Sequence, residues 1–205
     1  MTELHKAIEE IRSIRCQLAR CTEFRGYGPF AVAVTGLLAL VAAVVQGIYV
    51  RNPAQHTAQY LGIWLTTAAL SFLIISVEAA IRAQRVHSGI AVEMVCAALE
   101  QFLPALVAGL LVTVVVARGA PQSLWMLPGL WQVIFSLGVF PSCRFLPRPL
   151  FGVGVWYLCA GLTCLALGDP ARALSPWSMA IPFGIGQLLV AAVLQFGYDR
   201  VEEHE

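Results

Sequence analysis

The sequence predicts an all-α, polytopic membrane protein with six transmembrane helices and both termini cytosolic, preceded by an amphipathic N-terminal helix. Three observations carry this reading. Charged residues make up only 12% of the 205-residue chain while 59% are hydrophobic, and the mean hydropathy is +0.75; soluble domains carry about a quarter charged residues. The apolar residues are gathered into six runs of about 19 to 25 residues, each long enough to cross a hydrocarbon layer of about 30 Å at 1.5 Å per residue. Lys and Arg, finally, are shared unequally between alternate connections.

Residues 1–25 read as a cytosolic helix. Leu4, Ala7, Ile11, Ile14, Leu18 and Cys21 recur at spacings of three and four, with Ile8 broadening the stripe, which is the pattern of a helix with one apolar seam. Glu3, Lys6, Glu9, Glu10, Arg12, Arg15 and Arg20 cover the rest in near charge balance. The seam suits a lipid surface, the protein's own loops or another chain, and Leu4, Ile11, Ile14 and Leu18 are the residues expected to pair with a cytosolic partner or a second copy. This segment has none of the basic, apolar and small-residue order of a secretory signal, so it is expected to be retained. Residues 24–29 (FRGYGP) then break the helix before the membrane.

The membrane domain is expected over residues 28–198, with runs at 28–50, 57–81, 96–117, 122–140, 149–167 and 177–198, and an acidic cytosolic tail over 199–205. With the N-terminus inside, ten of the thirteen Lys and Arg residues fall on cytosolic segments and only Arg51, Arg118 and Arg172 outside, as the positive-inside rule requires. Expected surroundings are lipid on all sides of the bundle, in a plasma (inner) membrane. A similarity between residues 40–51 and 189–200 pairs the first run with the sixth. An inverted repeat would pair the first with the fourth, so the likeness is compositional.

Ionisable side chains cluster at one place, residues 76–103, which read as a helical hairpin: Glu78 closes the second run, Arg82, Arg85 and His87 make the bend, and Glu93 and Glu100 lead into the third. Glu78 and Arg82 are spaced for an i,i+4 ion pair and Glu93 and Glu100 share a helix face. Counting back from Arg118 places the cluster at the cytosolic boundary. It is expected to be structural pairing there; as a working site it would be an inward-facing cation or proton site opened by Pro104.

At mid-depth the polar residues are neutral: Thr67, Gln132, Cys159 and Gln187. A proton-coupled carrier places ionisable groups there, so that class is disfavoured. Trp64, Thr67, Gln132, Trp156 and Gln187 are the residues expected to line a cavity if the bundle holds one.

His5, His56, His87 and His204 fall at ends or loops, which disfavours haem ligation. The six cysteines, Cys16, Cys21, Cys96, Cys143, Cys159 and Cys164, form no CxxC pair, and no metal site is expected. No hydrolase, phosphate-loop or dinucleotide motif occurs. Net charge is +1, which gives no reason to expect nucleic acid. The expectation is therefore a non-enzymatic membrane protein without cofactors. It would act by association, as a sensor, regulatory partner or complex subunit. The alternative is a small permease or transporter subunit for a neutral or amphiphilic solute.

Overall fold

The computed structural model describes the backbone of residues 28–85, 89–143 and 149–202, and within these the side chains of 28–81, 100–143, 149–169 and 172–195. The N-terminal heptad helix expected over residues 1–25 and the residues proposed to dock a partner lie outside the described residues, as do the end of the acidic tail and the side chains of Arg82, Arg85 and Glu93.

Among the described residues every regular element is a helix and there is no strand. Six long helices follow in order: α1 (Pro29–Tyr49), α2 (Thr57–Arg85), α3 (Gly89–Gly119), α4 (Leu127–Ser142), α5 (Leu150–Ala166) and α6 (Pro176–Glu202). A 3-10 turn (Pro121–Met126) leads into α4, and a one-turn helix (Pro170–Ala173) precedes α6. Five of the apolar stretches are long enough to cross a membrane: Pro29–Tyr49, Thr57–Ile81, Glu100–Gly119, Pro121–Ser142 and Pro176–Gln195. The apolar α5, with 17 residues, is shorter.

Local sequence sets the ends. Pro29 stands in the first turn of α1, where its missing N–H costs nothing. The helix closes with the Val50 N–H on the Gln46 carbonyl at 2.8 Å, just before Arg51, Asn52 and Pro53. Gly168 takes φ +56° to turn the chain after α5, a conformation that a side chain disfavours. Pro104 does not interrupt α3, which runs through it as one helix.

Small residues decide which helices touch. α1 presents Thr35, Gly36, Ala39, Ala42, Ala43 and Gln46 as its buried face, and at its crossing with α6 a Cβ added to Gly36 would sit 3.0 Å from the Gln187 Cβ and 3.4 Å from the Gly184 carbonyl. α4 and α5 meet through a reciprocal glycine pair. A Cβ on Gly129 would lie 2.9 Å from the Gly161 carbonyl, and one on Gly161 would lie 2.7 Å from the Gly129 carbonyl. In lipid, where apolar burial drives nothing, such backbone approach supplies the dispersion contact that holds helices together.

The helices form an incomplete ring. α1 packs on α6, α6 on α5, α5 on α4 and α4 on α3, with α2 resting on the other flank of α1; α2 and α3 touch one another only sparsely. Burial follows the same order: 44% of the apolar window of α1 is buried, against 11% in α2 and 6% in α3. The ring thus fails to close between α2 and α3, along residues 64–72 and 102–110, beyond the charged stretch singled out in the sequence.

Candidate functional site: a cavity at the open seam

Where α2 and α3 part, a cavity of about 360 Å³ lies between them, floored by α1, α4 and α6. That volume is at the lower end of pockets that hold small organic ligands. Its aromatic floor is continuous: Phe102 meets Phe135 edge-on at 5.1 Å, and Phe135 meets Phe183 at 5.4 Å. Both Phe135 and Phe183 stack on the buried Tyr157, at 4.7 and 5.2 Å. Trp64 and Trp131 stand on the wall, with Leu65, Phe72, Leu106 and Leu110 along the seam.

The lining contains no ionisable side chain, and its polar members are Thr35, Thr67, Ser71 and Gln187 together with the two indoles. Most of that polarity is already used. Thr35 Oγ1 donates to the Val32 carbonyl at 2.8 Å and Thr67 Oγ1 to the Ile63 carbonyl at 2.7 Å. Trp64 Nε1 donates to Gln46 Oε1 at 2.7 Å, and Trp131 Nε1 to Thr113 Oγ1 at 2.8 Å. The Gln187 amide and the Ser71 hydroxyl have no hydrogen-bond partner among the described residues. An unpaired amide away from water costs on the order of 1–3 kcal/mol. Gln187 is half-buried and about three helical turns inside α6, where bulk water is not at hand.

Of the five residues expected to line a cavity, Trp64, Thr67 and Gln187 do so; Gln132 and Trp156 are not on its wall. The reason is Pro182. A proline within α6 has no N–H to give the carbonyl four residues earlier, and Gln132 of α4 supplies the missing donor, its Nε2 reaching the Ser178 carbonyl at 2.9 Å. Trp156 of α5 donates its Nε1 to the Pro182 carbonyl at 3.0 Å. Both side chains are thus committed to the backbone of α6.

Gln46 plays a similar part four residues earlier along the same segment. Fully buried, it accepts from Trp64 and donates its own Nε2 to the Leu174 carbonyl at 2.8 Å, joining α1, α2 and the connection before α6. Because its partner Trp64 lines the cavity, this clamp also fixes the indole on the wall.

Members of the charged cluster that the structure describes stand in unlike surroundings. Glu78 is half-buried, whereas the Glu100 side chain is exposed, and neither lines the cavity. No group of His, Cys, Asp and Glu that could hold a metal ion occurs among the described residues.

Sequence reasoning missed Phe102, Phe135, Phe183, Trp131 and Gly109 as lining residues, since apolar side chains in an apolar run carry no signal of what they face. Ser71 carried a signal: it shares a helical face with Trp64 and Thr67 at spacings of three and four. No protein-family profile, curated protein or solved structure matches this chain.

Proposed function

We propose that the chain is an integral protein of the plasma (inner) membrane that binds and passes on a small neutral or amphiphilic molecule, as a permease or transporter subunit. The observation that supports this reading is the ligand-sized cavity at mid-depth between α2 and α3, apolar throughout except for a few uncharged hydrogen-bonding groups. A bundle built only for packing gains nothing from such a void, because every missing contact along its wall is lost dispersion energy. Photolabelling provides the test. A diazirine-bearing stearyl alcohol, activated in proteoliposomes, should label residues 64–72, 102–110 and 179–187, and excess unlabelled alcohol should remove that label. Labelling spread over outward-facing Leu37, Leu137, Leu162 and Leu188 alike, without competition, would contradict the reading.

The same proposal takes α5 as a sixth span. Its 17 residues reach the lower limit for a crossing helix, and it is seated between α4 and α6. Six spans with Lys and Arg concentrated on one side place both termini in the cytosol. Reporters fused after Arg51 and after Arg118 should then read outside, and reporters within residues 86–88 and 144–148 inside; the reverse pattern sinks the topology.

Association is a second reading, supported by the shallow burial of α2 and α3. In that case deleting residues 2–22 should abolish assembly with a second copy or a cytosolic partner, and unchanged assembly would count against it.

A further inference from the structure

The structure points to one class of occupant: we infer that the cavity takes an uncharged, membrane-dissolved molecule whose apolar body carries a single hydroxyl or carbonyl head, and that the amide of Gln187 reads this head. The inference rests on the cavity being a ligand site and adds what the ligand must be.

Four observations lead there. The opening lies at the seam of the two least buried helices, and its rim residues Leu65, Phe72 and Leu110 are exposed apolar side chains. The route in is therefore through hydrocarbon. A charged ligand would meet no counter-charge, because no ionisable side chain lines the space, and charge at this depth is costly when unpaired. A polyhydroxylated solute would be poorly served, since Thr35, Thr67, Trp64 and Trp131 already donate their hydrogens to the protein itself, which leaves only the lone pairs of the two threonine hydroxyls to accept.

A bare hydrocarbon chain would fill the aromatic floor but leave the Gln187 amide as it stands, without a partner among the described residues. Its stem is held at the α1–α6 crossing, where Gly36 leaves room for the Gln187 Cβ. The amide offers both a donor and an acceptor, so an alcohol and a ketone or quinone-like carbonyl are equally well served. Ser71, on the α2 side of the same cavity, offers a second hydroxyl to such a head.

Tryptophan fluorescence tests this, because Trp64 and Trp131 line the cavity and bromine quenches indole emission at contact. The full chain, in phospholipid nanodiscs, is titrated with dibrominated stearyl alcohol and with dibrominated octadecane, a hydrocarbon of equal length. The expected result is saturable quenching by the alcohol at a concentration about tenfold lower than for the hydrocarbon, the increment of roughly one hydrogen bond. Gln187→Leu, which keeps the stem and shape, should erase that difference by weakening the alcohol alone. Equal affinity for the two probes in the unmodified protein, or an unchanged preference in Gln187→Leu, overturns the inference while leaving the cavity as a ligand site. Absence of saturable quenching by either probe overturns both. The comparison of the two probes needs no variant, so the inference stays open to refutation even where Gln187→Leu does not fold.

Discussion

Pro182 removes one N–H from the backbone ladder of α6, and Gln132 restores the bond from another helix at 2.9 Å. Beside the fully buried Gln132 side chain, the orphaned Ser178 carbonyl would otherwise lack a donor. Replacing Gln132 with Leu should therefore destabilise the folded bundle by about 1–2 kcal/mol, read as a shift in its denaturant unfolding midpoint. In a Pro182→Ala background the helix regains its own donor, and the same replacement should cost less than half as much. Equal costs in the two backgrounds would show that Gln132 does not act through the proline. The sequence displayed Gln132, Thr67 and Gln187 as equivalent neutral groups at mid-depth, and offered them with Trp156 as lining of one cavity. Which of them serve a neighbouring backbone and which face a cavity depends on the helix opposite, and on where that helix has lost a hydrogen bond, so periodicity within one helix cannot separate them.

Between helices, the glycine contacts carry the architecture. A methyl at Gly161 would lie 2.7 Å from the Gly129 carbonyl and 2.8 Å from Val133 Cγ2, whereas nothing lies within 4 Å of one at Gly152. Gly161→Ala should cost about 1–3 kcal/mol, since backbone must move apart to admit it, while Gly152→Ala should be neutral or stabilise by up to about 1 kcal/mol through its helix preference. Comparing the unfolding midpoints of the two variants checks this, and equal effects would refute the close α4–α5 crossing. Approximate helix positions and lengths were legible in the sequence, because they follow from bilayer thickness. The partners were not. In helices apolar on every side the hydrophobic pattern loses its usual power to say which face points inward, and Gly161 and Gly186 pass unnoticed until the Gly129 carbonyl and the Tyr157 ring are seen against them.

Across the bundle, α2 and α3 part along their apolar midsections and open the cavity. Charge drew attention to Glu78, Arg82, Arg85, Glu93 and Glu100 at one end of the hairpin, yet Glu100 is exposed and the space lies further along the same two helices. An ionisable residue in an apolar run stands out in a sequence, and a gap between two apolar helices leaves no mark. Gly109 gives the most direct access to that gap, since a Cβ there meets only Ile134 Cγ2 at an ordinary 3.9 Å. The decisive measurement is the saturable quenching of tryptophan emission by dibrominated stearyl alcohol in the unmodified protein and in Gly109→Leu, whose added side chain occupies the cavity. If the cavity is the ligand site, Gly109→Leu binds the probe at least about tenfold more weakly with an unchanged unfolding midpoint; equal binding by two equally stable proteins would contradict it.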